Sequence, residues 1–289
     1  MTMFKKAFKY DFGYVYRFWW IIVASVLGLS LLGSMAFRFV ATFETRTAST
    51  LGMFLYTMAN IFMFASFFAI AMSFLVPQIL CYVRFYKNFF TDEGYLTFTL
   101  PVSRRTLFLS KTVNAVLWTV LHGLLLVVAG AIIITVAPVP NRGELLTFIL
   151  WEDVGEIFSY LWKSLGGWLL VYILEGILMA IAAGWFTCAL VQFCITIGAV
   201  VAKKHKVLAA FGIYYGVNTA TTFALQFVIG LGLIFVVVPM FALLELATFA
   251  VTCTSVALLL LIVLMGEIAV ACLFHFLALG TLERKLNLS

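Results

Sequence analysis

Long apolar stretches separated by short polar ones dominate this sequence. Six of them reach or exceed the roughly 20 residues that a helix needs to cross the hydrocarbon core of a bilayer. They cover approximately residues 18–37, 51–82, 107–137, 165–201, 207–244 and 247–280. Several are longer than that minimum, which predicts tilted helices or helix ends that project from the membrane. The pattern predicts an all-α polytopic membrane protein with six transmembrane helices in one domain, residues 1–289.

Lysine and arginine are distributed unevenly between the two sides of the predicted membrane. With the N-terminus placed inside, only a few of the 18 Lys and Arg residues fall in outer segments. These are Arg38, Arg46, Arg142 and Lys163. Because basic residues concentrate on the cytoplasmic side of membrane proteins, the sequence predicts that the N- and C-termini are both cytoplasmic.

Two further segments are predicted to lie along the membrane surface. In residues 1–17, apolar side chains recur at helical spacing on one face and three lysines lie off it, which is typical of an interfacial amphipathic helix. That face consists of Phe4, Ala7, Phe8, Phe12 and Val15. Residues 138–164 form the longest outer segment, whose second half carries a similar apolar face. We expect a short amphipathic helix there, on the extracellular side.

Composition excludes several classes of protein. Only 10% of the residues are charged and 65% are hydrophobic, whereas an average soluble domain is about a quarter charged. The net charge of +6 gathers at the ends of apolar stretches, so it indicates a lipid bilayer as partner and not nucleic acid. The five cysteines lie in or beside apolar stretches, which argues against a disulfide framework.

The motifs of hydrolytic enzymes are absent from the sequence. No glycine is followed by lysine, so a phosphate-binding P-loop cannot be present, and neither HExxH nor GxSxG occurs. The three histidines show no metal-ligand spacing. We therefore expect no catalytic residues, no metal site and no cofactor in this chain. Any uphill transport would take its energy from a partner subunit or an ion gradient.

A few polar residues fall inside the predicted spans. They are His122, Glu175, Asn218, Thr222, Gln226 and Glu267. Ionisable groups within a membrane mark ion pathways or pair with internal partners, and the sequence leaves both interpretations open. Residues 218, 222 and 226 recur every four positions and share one helix face. That face is expected either to line a translocation path or to bond a neighbouring helix.

The polar segment at residues 84–111 separates the second and third spans, and its loop covers residues 84–106. Thr91 is predicted to cap a short helix whose first turn holds Asp92 and Glu93, where negative charge suits the helix dipole. A Leu-Pro pair ends that helix. Ser103 is then predicted to cap the third span.

This stretch, which includes DEGYLTFTLPVSRRTLFLSK, resembles the cytoplasmic loop of small bacterial ATP-binding-cassette permeases of the type-2 exporter family, especially the six-span permeases of Gram-positive bacteria. The basic cluster at residues 203–206 resembles them too. The family's re-entrant element before the sixth span has no counterpart here, because that connection is short. The resemblance implies a coupling helix at residues 91–101 that docks on a separate ATPase. The residues it assigns to ATPase coupling are Thr91, Asp92, Glu93, Gly94, Tyr95, Leu96, Phe98, Leu100 and Pro101.

The resemblance also implies a function. The chain is expected to be a permease subunit in a bacterial cell membrane, paired with a second copy or a paralogue, and to export a hydrophobic, amphipathic or peptide substrate. ATP and Mg²⁺ would be bound by the partner ATPase. Two alternatives stay open: a proton-coupled secondary transporter that uses Glu175, Glu267 or His122, and a non-transporting membrane scaffold or sensor with the same fold.

Overall fold

The structure is a computed structural model that describes residues 3–43, 49–99, 101–136, 151–202, 204–232, 234–235 and 249–285. Within these ranges the regular structure is entirely helical. The helices are α1 (Met3–Thr42), α2 (Thr50–Ser73), α3 (Leu75–Phe90), α4 (Asp92–Thr99), α5 (Arg104–Val136), α6 (Trp151–Leu165), α7 (Trp168–Val201), α8 (Lys206–Gly232) and α9 (Phe249–Lys285). The predicted all-α class is confirmed for the described part of the chain.

Long apolar helices make the chain a multi-pass membrane protein. In the described ranges, five helical segments are long and apolar enough to cross a membrane. They are Met3–Thr42, Thr50–Phe90, Arg104–Val136, Trp168–Val201 and Cys253–Arg284. Helix α8, with 27 residues, is about 40 Å long at 1.5 Å per residue, which is also enough to cross. Its asparagine, threonines and glutamine lower its mean hydropathy and set it apart from the other five.

Helix α1 runs without interruption for 40 residues, so residues 3–17 and the first predicted span form one continuous helix. The interfacial position of residues 1–17 stays a prediction. The predicted apolar face exists, but it packs on the protein itself. Val15 is fully buried and Ala7 packs against an aromatic core. Lys5 and Lys9 are exposed, as their position off that face predicts.

The second predicted span is interrupted near Pro77. Helix α2 ends at Ser73 and α3 begins at Leu75, with a turn at Phe74 between them. Proline has no N–H to donate to the carbonyl four residues earlier, which here belongs to Ser73. At the turn itself, the Phe74 N–H donates to the carbonyl three residues earlier, that of Ala71, at 3.3 Å. The missing N–H of Pro77 accounts for the interruption between α2 and α3.

Part of the predicted outer segment also forms a helix. Helix α6 covers its second half, and the side chains of residues 155–160 are exposed. Gly166, with φ of 56°, follows the end of this helix in the left-handed conformation that glycine adopts readily. Residues 138–150 lie outside the described residues.

The chain divides into two compact units. The first comprises Met1–Asp11, Cys81–Val116 and Leu165–Ser289, and the second comprises Phe12–Leu80 and Leu117–Ser164. An aromatic cluster fills one end of the first unit, where α3, α5 and α9 meet. It consists of Phe85, Phe89, Phe90, Leu107, Phe108, Ala278 and Leu282. The core of the second unit is aliphatic and includes Ile22, Val26, Ile70, Leu125 and Ala129.

In the first unit, two arginines at the start of α5 contact the end of α9. Arg105 of α5 donates to both carboxylate oxygens of Glu283 near the end of α9, at 2.8 and 3.3 Å. Arg104 donates at 3.4 Å to the carbonyls of Leu282 and Glu283. Cations at a helix C-terminus interact favourably with its dipole. The start of α5 and the end of α9 are therefore held side by side, next to the aromatic cluster to which Leu107 and Leu282 belong.

Candidate functional site

The short helix predicted between the second and third spans is present as α4, with Asp92 and Glu93 in its first turn. The Thr91 hydroxyl donates to the Lys87 carbonyl at 2.6 Å, and it accepts no N–H from the described first turn of α4. The Gly94 N–H donates instead to the Thr91 carbonyl at 2.7 Å. Thr91 therefore closes the end of α3 as α4 begins.

Ser103 has the role that the sequence predicts. Its hydroxyl oxygen accepts the Thr106 N–H at 3.2 Å in the first turn of α5. Pro101, which is exposed, lies in the connection between α4 and α5. Leu100 and the side chain of Tyr95 lie outside the described residues.

Helix α4 is seated on the aromatic cluster. The Phe98 ring centroid lies 5.6 Å from that of Phe89, and the Arg104 guanidinium carbon lies 4.8 Å from the Phe98 centroid. A Cβ at Gly94 would come within 3.0 Å of the Phe89 carbonyl oxygen. This close approach favours glycine there. Phe98 is partly buried against this cluster and therefore anchors α4 to its own chain.

The opposite side of α4 is open to solvent. Asp92, Glu93 and Thr99 are exposed, and the Leu96 side chain is 68% exposed. An exposed leucine flanked by two carboxylates, on a helix fixed by Phe98, is a small mixed surface of the kind that a protein partner can contact. This surface, Asp92, Glu93, Leu96 and Thr99, is called the α4 face below.

A buried charge cluster lies close to α4. Asp11 Oδ1 accepts hydrogen bonds from Arg84 Nε at 2.7 Å and from Lys111 Nζ at 3.0 Å. The Arg84 guanidinium carbon also lies 4.5 Å from the centroid of the Tyr10 ring, and Lys111 Nζ lies 5.6 Å from that of Phe89. One carboxylate thus holds two cations, so α1, α3 and α5 are joined where little water can screen the charges.

Asn88 joins this cluster to α4. With its amide oriented to satisfy both neighbours, its nitrogen donates to Glu93 Oε2 at 3.2 Å and its oxygen accepts from Lys111 Nζ at 2.8 Å. A continuous polar chain therefore runs from Glu93 through Asn88 and Lys111 to Asp11. We call it the polar relay. It begins at Glu93 on the α4 face and ends at Asp11 on α1.

Sequence reasoning missed Asp11 and Asn88. Asp11 is the one acidic residue of α1, and it lies on the helical stripe that also contains Phe4, Phe8 and Val15. A lone carboxylate within an apolar stripe is a signal that the residue pairs with a buried cation. Asn88 carries no such signal, because nothing in the sequence distinguishes it from an exposed loop amide.

The intramembrane candidates are separated by the division into units. In the second unit, His122 is fully buried and its Nε2 lies 3.1 Å from the Ser73 hydroxyl. The rings of Trp19 and Phe74 contact it edge-on. His122 therefore occupies a packed, hydrogen-bonded position at the interruption between α2 and α3.

The two glutamates belong to the first unit. Glu175 of α7 is buried, and no described group bonds its Oε2; the same is true of Oε2 of Glu267 in α9. On α8, Asn218 is half-buried while Thr222 and Gln226 are exposed. The polar stripe of α8 thus turns partly away from the helices that pack against it.

Among the described residues, no group of three or more His, Cys, Asp or Glu side chains lies close enough to hold a metal ion. No family model, no curated protein and no solved structure matches this chain. The contacts around α4 are therefore the features of this chain that bear on its function.

Proposed function

We propose that this protein is the membrane-spanning permease subunit of an ATP-binding-cassette exporter of the type-2 class, and that α4 is the helix on which a separate ATPase docks. The observation that carries the proposal is the construction of α4. It is a short helix with an exposed acidic and apolar face, anchored by Phe98 on its inner side. The polar relay connects it to the longest described helix of the protein.

The contacts of α4 supply a route for force. A displacement of α4 would act on α3 through the contact between Gly94 and Phe89, and on α5 through Asn88 and Lys111. Asp11 would pass it to α1. ATP binding can drive such a change only if the ATPase binds two permease conformations with different affinity. A rigidly seated α4 suits that role, since a loosely attached helix would move without carrying its neighbours.

The proposed topology has six spans with both termini in the cytoplasm of a bacterial cell. The length of α8 supports it as the fifth of these six spans, and the distribution of lysine and arginine supports the orientation. In this arrangement α4 faces the cytoplasm, where ATP is available, and α6 lies on the outer surface.

The proposal includes a second copy of the chain or a paralogue. Thr222 and Gln226 of α8 are exposed in the single chain. Polar side chains that face lipid are costly, while those that face another helix or an aqueous path are satisfied. A path formed between two subunits would suit a hydrophobic, amphipathic or peptide substrate.

The test is co-expression and co-purification with a P-loop ATPase encoded beside the gene for this chain. Leu96→Asp should abolish capture of the ATPase, because it adds a charge to the apolar part of the α4 face. Leu51→Asp is the matched control: Leu51 is 67% exposed and lies at the start of α2, on the proposed outer side. Equal capture of the ATPase by both variants, or a gene neighbourhood that encodes no such ATPase, would refute the assignment.

A further inference from the structure

A cleft of about 670 Å³ opens where α7 passes into α8, and α3 contributes one wall. The residues around it that matter here are Tyr86, Lys204, His205, Lys206, Leu208 and Phe211. All of them lie in the first unit. The cleft therefore combines cationic side chains, an aromatic ring and aliphatic surface in one place.

The start of α8 adds backbone donors to this cleft. The first backbone hydrogen bond of the helix runs from the Ala209 N–H to the His205 carbonyl at 3.0 Å. The N–H groups of Lys206, Val207 and Leu208 precede it, so the helix supplies them no carbonyl partner. Such groups and the positive end of the helix dipole favour a bound anion.

The lysines strengthen that preference. Lys204 is exposed and Lys206 is half-buried. Within the described part of the chain, no carboxylate lies within ion-pair distance of either ammonium group. Positive charge from side chains and from the helix end is thus directed into the same opening without a neighbouring acid to balance it.

Part of the lining of the cleft consists of exposed apolar side chains. Leu208 and Phe211 expose most of their side chains, and both lie within the first two turns of α8. A small soluble anion would leave this surface uncovered. A phosphate group that carries a hydrocarbon chain would use the basic and the apolar parts of the cleft together, as basic pockets between membrane helices do for lipid headgroups.

The cleft is held in place by a close helix contact. A Cβ at Gly198 of α7 would lie 2.6 Å from the Ala210 nitrogen of α8. The two helices can approach this closely only because residue 198 has no side chain. The turn that carries Lys204 and His205 is therefore fixed between two packed helices.

We infer that this cleft is a binding site for an anionic phospholipid, whose phosphate lies between Lys204, Lys206 and the start of α8 and whose acyl chain lies along Leu208 and Phe211. The inference does not depend on docking of an ATPase at α4. It assigns the basic turn between α7 and α8 to the membrane surface.

The test uses the full chain, purified in a neutral detergent that contains no phosphate. Native mass spectrometry measures binding of phosphatidylglycerol and of zwitterionic phosphatidylcholine. A basic residue near an anionic surface contributes about fivefold in affinity, so Lys204→Gln with Lys206→Gln should weaken phosphatidylglycerol binding by roughly 25-fold. The control, Lys5→Gln with Lys9→Gln, removes the same charge elsewhere and should stay within about twofold of the natural chain.

Two further double substitutions are needed. One shows whether loss of binding comes from lost charge or from misfolding, and the other whether the site binds a lipid or a free phosphate. Lys204→Arg with Lys206→Arg keeps the charge and should retain binding. Leu208→Ser with Phe211→Ser should weaken phosphatidylglycerol while leaving soluble glycerol phosphate unaffected.

Several outcomes would overturn the inference. One is an equal loss of binding in the Lys204/Lys206 and Lys5/Lys9 glutamine variants, and another is equal affinity for phosphatidylcholine. A third is glycerol phosphate binding as tightly as the lipid, which would indicate a site for a free phosphate. The last is loss of ATPase capture in the Lys204/Lys206 glutamine variant with lipid binding unchanged, which would make the turn a protein contact.

Discussion

Lys111 Nζ lies 3.0 Å from Oδ1 of Asp11, across 100 residues of sequence. Both side chains are only 6% exposed. The pair fixes the first turns of α1 against α5, and it does so next to α4. Because water screens this contact poorly, each partner depends on the other for a counter-charge.

Asp11→Asn should therefore destabilise the protein strongly. The variant keeps the shape of the side chain but removes the negative charge that contacts both Arg84 and Lys111. Loss of one partner of a buried ion pair costs about 3–5 kcal/mol. The measurement is unfolding of the purified protein by sodium dodecyl sulfate titration.

The control for this change is Asp92→Asn, because Asp92 is exposed on α4 and its loss should change stability by less than about 0.5 kcal/mol. If Asp11→Asn unfolds at the same sodium dodecyl sulfate concentration as that control, the buried cluster does not stabilise the fold.

Asn88→Ala should separate ATPase binding from transport. It removes the amide that links Glu93 to Lys111 but leaves the exposed α4 face intact. Capture of the ATPase should stay within about twofold, while substrate exported per ATP hydrolysed should fall by tenfold or more, in line with a coupling free energy of about 1–3 kcal/mol.

Thr97→Ala is the matched change for Asn88→Ala. Among the described residues, its hydroxyl bonds only to the Glu93 carbonyl within α4, at 2.9 Å, so coupling should persist. Normal coupling in Asn88→Ala would show that the polar relay carries no signal.

Phe98→Ala and Leu96→Ala should have different effects, although the two residues are only two positions apart. Phe98 packs against Phe89 and Arg104, so its truncation should loosen α4 and cost about 2–3 kcal/mol, somewhat below the value for a fully buried phenylalanine. Hydrogen exchange in α4 should rise accordingly.

Leu96→Ala, on the exposed side, should leave exchange unchanged and weaken ATPase capture alone. Fast exchange in the Leu96 variant, or protected amides in the Phe98 variant, would contradict the orientation described for α4.

Gly198→Ala should force α7 and α8 apart. The added methyl would lie 2.6 to 2.8 Å from backbone and side-chain atoms of Ala210, and overpacking of this kind costs about 1–3 kcal/mol. Thermal unfolding of the purified chain measures the loss.

Gly123→Ala is the control for that substitution, since nothing lies within 4 Å of a Cβ at Gly123. Alanine favours a helix over glycine by about 1 kcal/mol, so this change should be neutral or stabilising. If Gly198→Ala changes thermal stability no more than Gly123→Ala does, the close contact between α7 and α8 is contradicted.

Local signals predicted much of the framework around the site. The start of α4 after Thr91, the acidic first turn with Asp92 and Glu93, and the cap formed by Ser103 all follow from preferences that act within four residues. The interruption near Pro77 follows equally from the missing N–H of proline. Such features depend on neighbours along the chain, so the sequence contains them directly.

Other features depended on partners far along the chain. The role of Phe98 as an anchor requires Phe89 and Arg104, and Asn88 acquires a role only because Glu93 and Lys111 lie on either side of its amide. The apolar face of α1 was visible, but whether it faces lipid or protein was not, since periodicity does not reveal what covers a helix.

The amino-acid sequence by itself determined that this chain is a helical membrane protein with a short acidic helix between two spans, because hydropathy, capping and proline act locally. Only the tertiary structure decided which face of α4 is open and that Asp11 holds Arg84 and Lys111. The physical reason is that burial and charge pairing are properties of distant segments brought together, and no pattern within one segment specifies them.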